Sequence, residues 1–200
     1  MIIYGASGHG KVIEDIVEAM GGTVSCFIDD NKNLLQVHGI PVLHGYKKTS
    51  EPLIIAIGNN ATRKRVSLNL DADFGKAIHP SAIISPRALI GVGTVVMPGA
   101  IVNTDAIIGR HCIINTGVSI DHECKLDDFV HISPHSTLCG NVYVGEGSWI
   151  GAGSTIIQGI KIGKWVVVGA GSVVTEDIPD YSLVIGNRQY VLKANYYQHK

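Results

Sequence analysis

An aliphatic residue recurs at every sixth position along most of the chain after residue 77, and this register covers 17 hexads without a slip. Neither the 3.6-residue period of a helix nor the alternation of a simple strand produces such a register. It predicts a parallel β-helix with three short strands in each coil of about 18 residues. The aliphatic positions are Ile78, Ile84, Ile90, Val96, Val102, Ile108, Ile114, Ile120, Leu126, Ile132, Leu138, Val144, Ile150, Ile156, Ile162, Val168 and Val174.

A compact residue stands four positions after most of these aliphatic residues, Ile160 being the main exception, and glycine often follows them directly. We expect the aliphatic side chains to stack inside the coil and the compact ones to fit where the chain turns. The period itself leaves the handedness open, because the general rule for parallel crossovers favours right-handed connections. The compact positions include Ala82, Ala100, Cys112, Cys124 and Ser136, and the glycines include Gly91, Gly109, Gly145, Gly151, Gly163 and Gly169.

The first 75 residues follow a different pattern. The segment "MIIYGASGHGKVIEDIVEAMGG" predicts a strand, a glycine loop and a helix; "TVSCFIDD" and "EPLIIAIGNN" predict two further strands, and "ATRKRVSLNL" has helical spacing. This order predicts an α/β, Rossmann-like βαβ module over residues 1–75, with ligands at the carboxyl ends of its parallel strands. Residues 76–179 are then the β-helix, and residues 180–200 form a tail that caps its open end.

Charge and composition exclude several classes of partner. The formal net charge is −1, so no global field favours nucleic acid or an anionic membrane. The apolar stretches are far shorter than the ~20 residues that cross a bilayer, and the chain opens on a strand-like segment without a basic leader. We therefore expect a cytoplasmic protein without a membrane span. The four cysteines form no CxxC or other metal spacing, and we expect them to be free thiols.

Polar and glycine residues follow three predicted strands of the first module. The loop 5–10, "GASGHG", lies between a strand and a helix, where backbone N–H groups can bind a phosphate. Its G-x-x-G-x-G spacing differs from the G-x-G-x-x-G of dinucleotide-binding folds, which disfavours NAD. Asp29 and Asp30 end the next strand, where carboxylates can accept hydrogen bonds from a ribose, and Gly58 and Asn59 end the third. A tight structural turn at the loop and a solvated turn at the aspartates are the alternatives.

Two histidines in "INTGVSIDHECKLDDFVHIS" are candidates for catalysis. His122 stands two positions after the inward Ile120, between Asp121 and Glu123, so it should lie outside the coil beside a carboxylate. A carboxylate can hold an imidazole in one tautomer and increase its basicity, as a general base requires. A surface histidine among charges is the alternative. His131 lies nine residues later, which is half of an 18-residue coil, so the two histidines should occupy different faces of the three-sided prism that the coils form. They could meet only where the prisms of two subunits pack side by side, which favours an oligomer.

Two other chemistries use the same segment. A zinc site could draw on histidines, but the ligand spacing of hexapeptide-repeat carbonic anhydrases, two ligands five apart and a third two coils earlier, is missing; the histidines considered are His111, His122, His131 and His135. A cysteine nucleophile could be Cys124, yet this residue occupies a compact inward position, where burial without a base favours a structural thiol. We expect no metal and no bound cofactor.

The chain resembles the bacterial hexapeptide-repeat sugar acyltransferases, in particular the N-acetyltransferases that act on nucleotide-linked 4-amino-4,6-dideoxy sugars of the bacillosamine type. The resemblance covers nearly the whole chain and rests on seven blocks: "YGASGHGKV", "FIDD", "AIGNNATRK", "IHPSAIISPRA", "NTGVSIDHECKLDDFVHISP", "CGNVYVG" and the hexads. It implies a left-handed β-helix, acetyl-CoA as co-substrate, and a homotrimer with active sites between subunits.

The resemblance also implies roles for individual residues. His122 is similar to the general base and Glu123 to the group that increases its basicity. The residues similar to acetyl-CoA contacts are His131, Ala152 and Ala170. The residues similar to contacts of the nucleotide sugar and its site are Ser7, Gly8, His9, Asp29, Asp30, Gly58 and Asn115. Two departures stand out: the tail "GNRQY" replaces "GNPAK", which puts its CoA contacts in doubt, and Asp121 replaces a frequent glutamate.

The implied reaction is acetylation of the 4-amino group of a nucleotide sugar, with a UDP-sugar favoured, for the synthesis of a bacterial glycan. His122 would take the proton of the attacking amine, and a donor such as His131 or a backbone N–H would stabilise the oxyanion. The alternatives are a sialic acid-type O-acetyltransferase on the same scaffold, a carbonic anhydrase-like metalloenzyme, and a non-catalytic nucleotide-sugar sensor.

Overall fold

The computed structural model describes residues 1–186 and the backbone of residues 190–194. The chain begins with a five-stranded sheet of order β3-β4-β2-β1-β5, in which only the β3–β4 pair is antiparallel. Its elements are β1 (Ile2–Tyr4), α1 (Gly8–Ala19), β2 (Cys26–Ile28), β3 (Gln36–Val37), β4 (Ile40–Leu43), β5 (Leu53–Ile55) and α2 (Asn60–Asn69). The strand, glycine-loop and helix order predicted for this part is confirmed.

Helix α1 packs an apolar stripe on this sheet. Its buried residues include Gly10, Ile13 and Val17, which lie on one face at helical spacing. The helix ends at Ala19, where the N–H of Gly22 donates to the carbonyl of Val17 at 2.9 Å and completes a C-terminal turn. The helix thus lies across β1 with its N-terminus at the carboxyl end of that strand.

Helix α2 differs from α1 because its buried residues, Asn60 and Arg63, are polar. Its N-cap is Asn59, whose side chain accepts a hydrogen bond from the N–H of Thr62 at 2.9 Å. Burial of polar side chains requires hydrogen-bond partners, and several of these partners lie on the β-helix. Among the described residues, neither α1 nor α2 has the length and hydropathy that a helix needs to cross a membrane.

The hexads form a left-handed parallel β-helix of three-sided coils. The face that carries the first module, here called the docking sheet, contains β6 (Ala77–Ile78), β9 (Val95–Val96), β12 (Ile113–Ile114), β15 (His131–Ile132), β18 (Trp149–Ile150), β21 (Val167–Val168), β23 (Ser182–Ile185) and β24 (Tyr190–Ala194).

The other two faces are built in the same way. The second sheet contains β7 (Ile83–Ile84), β10 (Ile101–Val102), β13 (Ser119–Ile120), β16 (Thr137–Leu138), β19 (Thr155–Ile156) and β22 (Val173–Val174). The third sheet contains β8 (Leu89–Ile90), β11 (Ile107–Ile108), β14 (Lys125–Leu126), β17 (Tyr143–Val144) and β20 (Lys161–Ile162).

The predicted hexad register is confirmed strand by strand. Each strand from β6 to β22 has two residues, and the second is the predicted aliphatic residue. Successive coils pair in register 18 residues apart, as Ile114 does with Ile132. These side chains and the compact residues form one continuous core, in which Cys112 and Cys124 are fully buried. Stacking of identical positions therefore gives every coil the same interior.

The first module packs on the docking sheet. The outward-facing residues of its first three strands, Ala77, Val95 and Ile113, are buried in a cluster with Ile13 and Ile16 of α1. On the later strands the cover is less complete, and Trp149 of β18 is 44% exposed. The tail after residue 186 contributes β24, which pairs antiparallel with β23. The expectations for "GNRQY" and for the rest of the tail fall largely on residues 187–189 and 195–200, outside the described residues.

Candidate active site

The glycines of the loop 5–10 have different tasks. Gly5 has φ +110°, and a Cβ there would lie 2.7 Å from the carbonyl oxygen of Ala56, so this glycine permits the close approach of the segment after β5. A Cβ on Gly10 would lie 2.2 Å from the carbonyl oxygen of Gly5, so Gly10 permits the close packing of α1 on the loop after β1. A Cβ on Gly8 would meet nothing within 4 Å. Ser7 and Gly8 are exposed at the N-terminus of α1, where a phosphate could approach the backbone N–H groups. The loop is thus partly a structural turn and partly an open surface.

The two aspartates after β2 are not equivalent. One carboxylate oxygen of Asp29 accepts from the N–H of Ala6 at 2.9 Å, and the other accepts from the N–H of Asn31 at 2.9 Å. Asp29 therefore ties the glycine loop to the end of β2, whereas Asp30 is exposed. Tyr4 pairs with Ile28 at the same end of the sheet, and burial, and then the negative charges of Asp30 and Asp29, raise the pKa of Tyr4.

His9 and Gly58 lie where the first module meets the β-helix. Burial, and then the positive charge of Arg63, lower the pKa of His9 to about 4. Its Nε2 atom is buried without a hydrogen-bond partner among the described residues. Gly58 follows β5, and a Cβ there would meet nothing within 4 Å. Both residues influence His131 on the docking sheet, so the ends of β1 and β5 lie beside that histidine.

His131 is largely buried and faces its own first module. Its Nε2 lies 3.3 Å from the side-chain nitrogen of Asn115, and the ring donates a hydrogen bond to the carbonyl of Gly58. Burial, and then the charges of Arg63 and His9, lower the pKa of His131 to about 3, despite the opposing effect of Gly58. The ring is therefore neutral near pH 7. The hexad spacing carries no information on this contact, because the contact depends on how the first module docks on the β-helix.

A groove of about 450 Å³ runs from His131 along the docking sheet. Trp149, 44% exposed, stacks on His131 with ring centroids 5.9 Å apart, and its Nε1 donates to the hydroxyl of Ser133 at 2.7 Å. Small residues line the far part. The groove is lined by Asn115, His131, Ser133, Pro134, Trp149, Gly151, Ala152, Val167, Val168, Gly169 and Ala170. The structure thus brings together His131, Ala152, Ala170 and Asn115, and it adds Trp149, which the sequence argument missed.

His122 stands at the corner between the second and third sheets, after β13, with its side chain 52% exposed. Its Nδ1 lies 3.1 Å from a carboxylate oxygen of Glu123. A carboxylate in this place fixes the tautomer with the proton on Nδ1, which leaves the lone pair of Nε2 available as a base. The prediction that His122 lies outside the coil beside a carboxylate is confirmed.

Two neighbours hold His122 in place. Asp121 accepts from the backbone N–H of His122 at 2.8 Å and from the side chain of Asn103 at 3.1 Å. These two hydrogen bonds lower the pKa of Asp121. On the next coil a Cβ at Gly140 would lie 2.5 Å from Cε1 of the His122 ring. The imidazole therefore packs directly against the backbone of Gly140, and the orientation of the ring depends on the absence of a side chain there.

The structure keeps the two histidines on separate faces of the prism. His131 belongs to the docking sheet, whereas His122 follows a strand of the second sheet. The prediction that the two histidines occupy different faces is confirmed, and their meeting between packed prisms stays a prediction. A site that uses both would therefore combine the corner of one prism with the groove of another.

The alternatives based on metal or thiol chemistry gain no support from the described residues. No group of three or more His, Cys, Asp or Glu side chains among them could hold a metal ion. Burial raises the pKa of Cys112 to about 12 and that of Cys124 to about 11, so both stay protonated thiols at neutral pH.

Two parts of the chain match known protein families. Residues 1–70 match the PglD N-terminal domain family, and residues 141–176 match the bacterial transferase hexapeptide family (six repeats). UDP-N-acetylbacillosamine N-acetyltransferase of Bacillus subtilis (strain 168) is 44% identical over 105 residues, 46% of this chain and 49% of that protein. The match thus spans about half the length of this curated relative.

Two solved structures match over nearly their full length. The acetyltransferase domain of PglB from Neisseria gonorrhoeae FA1090 is 37% identical with a TM-score of 0.90, over 96% of this chain and 98% of that chain. The H141N mutant of perosamine N-acetyltransferase from Caulobacter crescentus, in complex with CoA and GDP-perosamine, is 35% identical with a TM-score of 0.87, over 96% of both chains. This chain belongs to the family of hexapeptide-repeat sugar N-acetyltransferases, as the sequence resemblance predicted.

Proposed function

We propose that this chain transfers the acetyl group of acetyl-CoA to the 4-amino group of a nucleotide-linked 4-amino-4,6-dideoxy sugar, with a UDP-sugar as the favoured substrate, for the synthesis of a bacterial glycan. One observation carries the proposal: the carboxyl ends of β1 and β5, with His9 and Gly58, lie beside His131 at the head of the groove. We call the space at the carboxyl ends of β1, β2 and β5 the nucleotide crevice. A nucleotide bound there would hold its sugar next to a thioester in the groove, and this proximity would lower the barrier of the reaction.

In the proposed reaction the amine nitrogen attacks the thioester carbonyl carbon. His122, held by Glu123, accepts the proton that the nitrogen loses, the C–S bond breaks, and the thiolate of CoA leaves and is protonated. The crevice contacts would come from residues at the three strand ends, namely Ser7, Gly8, His9, Asp29, Asp30 and Gly58. His131, Ala152 and Ala170 would contact acetyl-CoA, with Asn115 between the two sites.

The arrangement of His131 bears on the oxyanion. Its ring is neutral, and its Nε2 lies within reach of the Asn115 side-chain nitrogen, which can donate to it. A nitrogen that accepts a hydrogen bond does not donate one to an oxyanion. We therefore favour a backbone N–H of the groove as the oxyanion donor and assign His131 to the positioning of Asn115 and the thioester.

N-acetylation is favoured over the sialic acid-type O-acetylation that the scaffold also allows. The Bacillus subtilis relative and the Caulobacter crescentus protein are both named N-acetyltransferases. The acetyltransferase domain of PglB has also been solved in complex with acetyl coenzyme A. These names support an amine as the acceptor and acetyl-CoA as the donor in this chain.

A cytoplasmic homotrimer with active sites between subunits is part of the proposal. Large apolar residues point outward on the first coils of the second and third sheets, where Ile83 is 66% and Leu89 is 63% exposed. A neighbouring prism packed there would cover them and bring its groove near the corner of His122. We also propose the division into a nucleotide-sugar domain (1–75), an acetyl-transfer domain (76–179) and a cap (180–200).

The experiment that tests the function is a mass-spectrometric acetylation assay with acetyl-CoA and a panel of UDP-, GDP- and dTDP-linked 4-amino sugars. The expected product gains one acetyl group as an alkali-stable amide. An alkali-labile ester would favour O-acetylation instead, and the absence of product across the panel would contradict the proposal. Light scattering of the same sample measures the mass and tests the trimer.

A further inference from the structure

One buried arginine joins the first module to the β-helix. Arg63 of α2 is 1% exposed. Its Nη1 donates to the carbonyl of Ile57 at 2.8 Å and to that of Gly58 at 3.2 Å, at the end of β5. From the same guanidinium, Nε donates to the carbonyl of His111 at 2.8 Å and Nη2 to that of Phe129 at 2.9 Å, both on the β-helix. One side chain therefore donates hydrogen bonds to both the first module and the β-helix.

These β-helix carbonyls form a column. His111, Phe129 and Gly147 occupy the same corner on three successive coils, and all three have positive φ angles of 54°, 63° and 70°. Arg63 binds the first two carbonyls, and the side-chain nitrogen of Asn60 donates to the third at 3.0 Å. The Asn60 oxygen in turn accepts from Arg63 at 2.7 Å. Together the two side chains span three coils.

Both ends of this connection lie next to proposed binding residues. Gly58 lies in the turn after β5, at the edge of the proposed nucleotide crevice, and its carbonyl accepts hydrogen bonds from Arg63 and from the ring of His131. Phe129 precedes His131 by two residues, and Gly147 precedes Trp149 by two. A change in the arginine contacts would shift the crevice relative to the head of the groove, while each site keeps its own residues.

We infer that Arg63 is a positioning residue that sets the separation between the nucleotide crevice and the acetyl-CoA groove. The inference rests on the proposed function, since it concerns the approach of the amine to the thioester. The fork of a guanidinium can bind several carbonyls at once, whereas a lysine ammonium on a flexible stem cannot reproduce that geometry. A misplacement of about 1 Å at a reacting centre can cost about 10²-fold in rate.

The test compares Arg63→Gln and Arg63→Lys with Arg65→Gln, an exposed arginine on the same helix. Calorimetric titrations measure the affinity for CoA alone and for the nucleoside diphosphate alone. Steady-state kinetics measure kcat at saturation with both substrates. We expect both Arg63 variants to keep the two affinities within about threefold and to lose about 10- to 100-fold in kcat, and the Arg65 variant to match wild type.

Each result decides the matter. A wild-type kcat in Arg63→Gln, or full recovery of kcat by Arg63→Lys, would overturn the inference, because then neither the contact nor its fork geometry sets the rate. A parallel loss of both affinities would also overturn it and indicate a general structural role. If the Arg63 variants do not fold, Asn60→Ala takes their place and must lower kcat at unchanged affinities. An inactive wild type would instead contradict the proposed function.

Discussion

The imidazole of His122 lies over Gly140, one coil further along the chain, so closely that a Cβ there would stand 2.5 Å from Cε1 and 2.6 Å from Nε2. Contact with bare backbone on one side and with Glu123 on the other fixes the ring in two directions. The proposed base thus depends on a residue that bears no functional group.

Gly140→Ala should displace the His122 ring and lower kcat by about 10- to 100-fold, because the new methyl group occupies the space of Nε2. The atoms in conflict belong to the outer end of an exposed side chain, so the melting temperature should change little. Gln158→Ala, at the same position one coil later, is the matched control. Wild-type kcat in Gly140→Ala would show that the ring direction seen here is not needed.

His122→Ala should lower kcat by roughly 10²-fold or more, the usual size of general-base catalysis, with the affinities for both substrates retained. Glu123→Gln should have a smaller effect, because the amide can still accept from Nδ1 but carries no charge. Steady-state kinetics with the best substrate of the panel measure both. A rate near that of wild type in His122→Ala would remove this residue from the mechanism.

Ala170→Leu should obstruct the groove, because the added carbons enter a passage lined by small residues. We expect the KM for acetyl-CoA to rise by about 10-fold or more and the affinity for the nucleotide sugar to stay unchanged. Ala61→Leu, on the exposed side of α2, is the matched control. Unchanged KM values would place the pantetheine arm elsewhere.

Asp29→Ala and Asp30→Ala should separate the two tasks of the crevice aspartates. Both should weaken nucleotide-sugar binding, measured by calorimetry. Only Asp29→Ala should also lower the free energy of unfolding, by about 1 kcal/mol, because it removes the acceptor of the Ala6 N–H. Urea unfolding measures this difference. Unchanged nucleotide-sugar affinity in both variants would contradict the crevice assignment.

Acidification should destabilise the protein from pH 6.5 downward. The pKa values of His9 and His111 are lowered to about 4 and that of His131 to about 3, mainly by burial and then by arginine charges. Below pH 6.5 the unfolded chain binds protons that these native histidines do not, so stability falls until the pH passes their folded pKa values. The slope is about 1.4 kcal/mol per pH unit for each histidine.

Urea midpoints between pH 7.5 and pH 4.5 measure this slope without ligand. His9→Gln should make the slope shallower, because one of the three groups is removed. Gln158→Ala, which changes an exposed residue without a titratable group, should leave it as in wild type. A flat midpoint across this range would show that the three rings are not neutral in the folded protein.

The period of six in the sequence predicted each two-residue strand from β6 to β22, because an inward aliphatic position depends only on local repetition and on burial of apolar surface. It also predicted that His122 and His131 lie on different faces. With a coil of 18 residues, even the contact between His122 and Gly140 could have been found from their separation in the chain.

The hydrogen bonds of Asn60 and Arg63 to the β-helix could not be predicted in this way. In the sequence Arg63 is one of several charged residues on a polar helix. Its burial follows only from the contact of α2 with the carbonyls that line one corner of the β-helix. The neutral state of His131 has the same origin, since it depends on burial and on the charge of Arg63. No local pattern encodes either property.

The sequence by itself determined the repeating coil, the exposed histidine with its carboxylate neighbour, and the strand ends that carry the crevice residues, because each depends on residues a few positions or one coil apart. The tertiary structure decided that His9 and Gly58 meet His131 and that Arg63 binds the carbonyl of Gly58. These contacts join segments far apart in the chain, and only the docking of the first module on the prism brings them together.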